Sequence, residues 1–128
     1  MMTLLCLATA ASAAPPPSSI LLFWASWCAP CRAEVSDIAA LEQAAAPMRV
    51  LVVPIERSRA SRTLLRGLPE RSLFLPPEGG LALMQQLTNR SASLPVAVAI
   101  NGQGLVCVIQ RHRLTRADAE NWARLCGG

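Results

Sequence analysis

The chain reads as a compact α/β domain with a mixed central sheet flanked by helices. Three observations predict this. An unbroken apolar run is followed by a helical pattern and a second β-rich run. Two short β runs are joined by Asn-Gly-Gln-Gly. A capped amphipathic helix closes the chain. At 128 residues one core is expected, because a second domain would be too small to hold its own. Hydrophobic residues make up 52% of the chain, enough to pack a globule and too many for the bulk of it to stay disordered.

Residues 1–14, MMTLLCLATAASAA, carry no charged side chain and end in small residues. They read as the apolar and cleavage regions of a secretory signal, although the basic leader is missing and the signal is therefore atypical. As a membrane anchor the run falls short of the roughly 20 apolar residues that a span requires. Cleavage would discard Cys6. Residues 15–19, PPPSS, form a short stiff spacer, and the folded domain is expected over 20–128. The run 20–24, ILLFW, is a strand buried on both faces. Residues 29–45 show helical spacing, and 49–55, RVLVVPI, form a second strand. Strand, helix, strand is a βαβ unit with parallel strands and a right-handed crossover.

The next segment, 56–94, is more polar. It is expected to hold a short helix near 61–67 and another over 81–87, with PPEGG turning between them. The runs 95–100 and 105–110, joined by Asn-Gly-Gln-Gly, form a hairpin, and Asn101-Gly102 is a strong short-range signal for it because both residues tolerate positive φ. Thr115 and Asp118 form a capping box for the last helix, which Gly127 stops, and Ala119, Trp122, Ala123 and Cys126 share its inward face.

Charge excludes one class of function. All 12 positive side chains are Arg, but the formal net charge is only +4. With three Trp, two Phe and no Tyr there is also no ring platform for stacking bases, so nucleic acid is not expected as a partner.

The chemistry lies in FWASWCAPCRAE, residues 23–34, where Cys28 and Cys31 stand two residues apart. If a helix starts near Cys28, that sulfur meets unpaired backbone N–H groups and the positive end of the helix dipole. That environment favours thiolate, and cysteines so placed titrate at roughly 3.5–7.5 against about 8.5 when free. Pro30 falls in the first turn, where its missing N–H costs nothing. Cys31, Val35 and Ile38 follow i, i+4, i+7, which turns the second sulfur inward. An exposed acidic sulfur beside a sheltered one is the asymmetry that disulfide exchange requires. A structural zinc site would need further ligands, and the sole His, His112, with Cys107 and Cys126, does not provide the spacing. A purely structural disulfide closing so short a loop would add little chain-entropy stabilisation.

FWASWCAPC resembles the active-site segment of thioredoxin-fold proteins, and WCAPCRAE resembles exported TlpA-like thiol-disulfide oxidoreductases most closely. SLPVAVAINGQGLV is similar to that family's proline-strand-turn-strand block. The resemblance covers roughly residues 20–126. It implies a thioredoxin-like fold and a catalytic, redox-active Cys28–Cys31 pair, with Trp27, Pro30, Leu94 and Pro95 meeting the substrate. It also implies a cis Leu94–Pro95 bond beside the cysteines, whereas Pro95 by itself reads as an ordinary strand start. Leu94 would offer backbone groups to an extended substrate segment. Glu34 matches the family's C-R-x-E pattern. It would either relay a proton to Cys31 or stand solvated in the first turn, complementing the dipole.

The sequence departs from the family at Leu22, where a buried acid or polar residue is usual, at Ser36, where a kinking proline is usual, and at Ser93 and Val96. Trp27 has a semi-buried core aromatic as its alternative, and Trp24 is expected in the core. Arg59, Arg62 and Arg66 would share one helix face, either solvated or docking onto an acidic partner or anionic lipid. Cys107 and Cys126 are expected as two buried small hydrophobes, with a second disulfide as the alternative.

The expected activity is thiol-disulfide exchange on exported cysteine-containing proteins, more readily in the reducing direction. An upstream dithiol donor would regenerate the pair, and no cofactor or metal is needed. The protein is expected to be periplasmic or otherwise exported, monomeric, and without a membrane span after processing. The competing class is a non-catalytic module that binds a peptide or delivers copper.

Overall fold

A computed structural model describes residues 14–127. Apart from Ala14, the segment read as a signal lies outside them. Among the described residues no helix is long and apolar enough to cross a membrane.

The central strand, β1 (Ser19–Trp24), has every residue buried. It begins one residue before the apolar run because Ser19 hydrogen-bonds inward, its hydroxyl donating to the Pro16 carbonyl at 2.6 Å. A four-stranded sheet forms in the order β2-β1-β3-β4, with β2 at Arg49–Pro54, β3 at Val96–Ile100 and β4 at Val106–Gln110. β1 runs parallel to β2 and antiparallel to β3, and β3 is antiparallel to β4. The sheet is therefore mixed, as the sequence predicts.

Alternation along β1 divides the core. Ile20 and Leu22 join Leu41, Ala45, Trp122 and Cys126 in one layer. Leu21 and Phe23 join Leu83, Met84 and Val98 in the other. Both faces are covered by helices, so β1 has no polar side to alternate with. Each fully buried large apolar side chain contributes roughly 1.5–3 kcal/mol relative to exposure.

The helix expected over 29–45 is two: α1 (Ala29–Ser36) and α2 (Ile38–Ala45). The break falls at Asp37, whose φ and ψ are −102° and 14°. The Ser36 hydroxyl bonds back to the Arg32 carbonyl at 3.0 Å, a pattern that bends helices. The Asp37 carboxylate is drawn outward to Arg116, with an N···O distance of 2.8 Å. No proline is needed for the bend.

α3 (Arg59–Leu65) starts two residues before the expected position because the Ser58 hydroxyl caps it, accepting from the Ser61 amide at 3.0 Å. A 3₁₀ turn (Glu70–Ser72) follows. Leu73 then bridges Val52 in parallel, extending the sheet past β2. α4 (Gly80–Leu87) packs so closely on β2 that a Cβ on Gly80 would overlap the Pro54 carbonyl oxygen.

The hairpin between β3 and β4 forms as the sequence predicts, but the positive φ that Asn-Gly tolerates is not used at that pair. Neither Asn101 nor Gly102 has positive φ; Gly104 does, at 79°. The Asn101 side-chain oxygen accepts from the amides of Gln103 and Leu105 at 2.9 and 3.0 Å. This Asx turn spreads the loop over Asn101 to Gly104. The register shifts at once, Ala99 facing Val108 and Ile100 facing Val106.

α5 (Arg116–Cys126) carries the predicted capping box in full. Its last residue forms a disulfide with Cys107, with Cα atoms 6.0 Å apart. The expectation of two separate small hydrophobes is thus corrected. β4 and α5 bring the two positions within bridging distance.

Candidate functional site

At the end of β1 the chain turns through Ala25 to Trp27 and enters α1. The Cys28 amide donates to the Ala25 carbonyl at 3.1 Å. Cys28 is the N-cap of α1, its sulfur accepting from the Cys31 amide at 3.3 Å, and Pro30 lies in the first turn. Cys28 and Cys31 are joined as a disulfide, with Cα atoms 5.3 Å apart.

Both sulfurs belong to one packed cluster with Trp24, Ala25, Val52 and Leu65. Cys28 is 4% exposed and Cys31 0%. The expectation of an exposed first sulfur is therefore corrected: both cysteines of the disulfide are buried in the same cluster. Trp27 is 67% exposed, which excludes the core alternative, whereas Trp24 is buried at 1%. The indole N–H of Trp24 has no partner.

Leu94 packs against the cysteine cluster. The Leu94–Pro95 peptide is cis. Since Phe23 pairs with Val96, Pro95 lies at the same end of the sheet as the turn into α1. Strand pairing thus carries a segment more than sixty residues downstream of the cysteines to their side of the molecule.

Glu34 corrects the expectation of a solvated carboxylate. It is 1% exposed and lies on the buried side of α1 with Cys31. One oxygen, Oε2, accepts from the Leu114 amide at 2.7 Å. The other, Oε1, is buried without a partner. Burial pushes its pKa from 4.5 up to about 7, against the opposing pull of the Leu114 N–H and of Arg113. Residues three apart on a helix are neighbours, so a carboxyl poised near neutrality stands one turn from Cys31.

Glu56 is a site residue that sequence reasoning missed. Its Oε1 accepts from both the hydroxyl and the amide of Ser26, at 2.5 and 2.9 Å. It thereby pins the turn that leads into Cys28 to the end of β2. These bonds, with one from Ser58, hold its carboxyl below the usual range. With the partners thirty residues apart, no local pattern marks it. Among the described residues, no three His, Cys, Asp or Glu side chains gather as a metal site.

No protein-family model matches the chain, and no curated protein matches it in sequence. Solved structures do match. A thiol:disulfide interchange protein of the thioredoxin family from Chlorobium tepidum superposes with a TM-score of 0.68 at 16% identity, over 86% of this chain and 79% of that one. StoA from Bacillus subtilis gives 0.64 at 18% identity, over 84% of each chain. The exposed lipoprotein thioredoxin of Streptococcus pneumoniae gives 0.64 at 24% identity, over 83% of this chain and 82% of that one. The sheet order, the cysteine pair at the head of α1 and these superpositions lead to one conclusion: the chain has the thioredoxin fold.

Proposed function

We propose that this protein is an exported thiol-disulfide oxidoreductase working through Cys28 and Cys31, in the reducing direction. One observation carries the reading: the sulfur that caps α1 is bonded to a neighbour buried one turn further on. In the dithiol form the N-terminal position on α1 favours Cys28 as thiolate. The thiolate attacks a substrate disulfide, forming one S–S bond as another breaks, and the leaving sulfur departs as thiolate. Cys31 then attacks the mixed disulfide at Cys28, which releases the second substrate sulfur and leaves Cys28–Cys31 oxidised. Two electrons pass to the substrate, and an upstream dithiol protein restores them.

Before its attack Cys31 must lose a proton in a closed environment. Glu34, with Oε1 unpartnered, is the group to take it, and the proton then passes to solvent or substrate. Leu22 is fully apolar and buried at 1%, so β1 offers no acid there. Trp27, Pro30, Leu94 and Pro95 would form the rim that meets the substrate. The names of the superposed structures support exchange chemistry, and the Cys107–Cys126 bridge supports an oxidising compartment.

The test is reduction of a disulfide-bonded protein by the dithiol-loaded chain. Wild type is expected to accelerate reduction, and to do so faster than its disulfide form oxidises a reduced substrate. Cys28→Ser should lose all activity, and Cys31→Ser should accumulate mixed disulfides on Cys28, visible by mass spectrometry. Reduction that persists in Cys28→Ser would overturn the assignment.

A further inference from the structure

Beside the cysteine cluster lies an open groove of about 430 Å³ between α3 and the segment following the 3₁₀ turn. Pro54, Leu65, Leu73 and Leu75 form its apolar floor and wall. Leu75 is 52% exposed, a large apolar side chain left uncovered at the rim. Arg57, Arg62 and Arg66 border the groove. The Arg62 guanidinium is held in place by donating to the Arg57 carbonyl at 3.0 Å.

Among the described residues the sole ion pair is Arg116–Asp37, so these guanidiniums have no carboxylate partner. Glu56 also lines the groove, but both its contacts to Ser26 fall on one oxygen and anchor the turn before Cys28. Glu56 stays ionised there, so three guanidiniums against one carboxylate leave the groove net positive, and one of its edges is tied directly to the redox turn. Arg59, which the helical spacing assigned to the same face, is not part of the lining; Arg57 takes its place.

We propose that this groove is a substrate-selecting subsite that takes an acidic polypeptide segment carrying a large apolar side chain. The apolar side chain would enter against Leu65, Leu73 and Leu75. Flanking carboxylates would meet Arg62 and Arg66, planar donors suited to carboxylate. The identity of this segment as part of the exchange substrate rests on the function proposed above. A polypeptide fits better than a lipid surface because the apolar element is concave and backed by Leu65 and Leu73 of the cysteine cluster, whereas an interfacial helix buries an apolar face in the bilayer surface.

The test pairs two short peptides that differ only in Glu or Gln around a central Leu. Each is made both as a cysteine-free fluorescent probe and with an intramolecular disulfide. The oxidised full chain should bind the Glu probe about five- to tenfold more tightly than the Gln probe. The difference should shrink at high salt as the charges are screened. The Arg62→Gln/Arg66→Gln variant should bind the two probes alike, and should reduce the two disulfide peptides at equal kcat/KM where wild type prefers the Glu form. Equal binding of both probes by wild type overturns the subsite. So does charge-dependent association with phosphatidylglycerol vesicles that the arginine variant loses, when no peptide preference accompanies it. Preferential binding of the Glu probe with neither peptide reduced would leave the groove standing and remove the exchange reading.

Discussion

Replacing Glu34 with Gln tests how α1 is seated. In the native chain the carboxyl is buried and its pKa is raised from 4.5 to about 7 by desolvation, less what Leu114 and Arg113 return. An acid whose folded pKa lies above its unfolded value binds more protons in the folded state across that interval. Its contribution to stability is complete below about pH 4.5 and is lost as pH rises toward 7. At about 1.4 kcal/mol per pH unit, a rise from 4.5 to about 7 corresponds to about 3 kcal/mol. Glu34→Gln retains an oxygen to accept from the Leu114 amide and cannot ionise. Its offset from burying an amide N–H₂ is about 1–3 kcal/mol and does not vary with pH. Urea unfolding of the oxidised wild type and variant from pH 4 to 8 should therefore give a stability difference that changes by about 3 kcal/mol in the variant's favour, mostly between pH 4.5 and 7. All other titrations are common to both chains and cancel. Parallel curves over the whole range would show that Glu34 is ionised without penalty, and would remove it as the proton acceptor for Cys31.

Two further outcomes follow from the packing. Substituting both Cys107 and Cys126 with Ala opens a loop of 19 residues in sequence separation, and should lower stability by about 3 kcal/mol on the chain-entropy model. Exchange through Cys28 should persist in that variant under conditions where it remains folded; loss of exchange in the folded variant would make the second bridge part of the mechanism. Gly80→Ala drives a Cβ into the Pro54 carbonyl, which α4 can relieve only by moving off β2. A loss of about 1–3 kcal/mol is expected by denaturant unfolding, and an unchanged midpoint would refute the tight α4–β2 contact.

Much of the fold was legible because its signals are local. The apolar run 20–24, the Thr115–Asp118 capping box and the placing of Cys28 just ahead of a helix with Pro30 in its first turn all act within a few residues. Pattern and capping chemistry suffice to read them. The bend at Asp37 was hidden because Ser36 back-bonding and the Asp37–Arg116 pair accompany it without a proline, and neither is a breaker in sequence. The hairpin at Asn101 was legible, but its inner geometry was hidden for a related reason. Asn-Gly permits the tight turn, but the Asn101 side chain competes for the amides of Gln103 and Leu105, and the longer Asx loop wins with Gly104 taking the positive φ.

Sequence alone determined that two sulfurs would stand one helical turn apart, the first at the turn's positive end. It also determined that a sheet buried on both faces would carry them. Only the tertiary structure decided how those sulfurs are served. Glu34 is closed in by Leu114, eighty residues away; Cys107 meets Cys126 across strand and helix; Glu56 reaches back to Ser26; three arginines gather around an apolar groove that holds a single carboxylate. Burial, desolvation and charge balance are sums over neighbours in space, and the chain brings those neighbours together only once its sheet has closed.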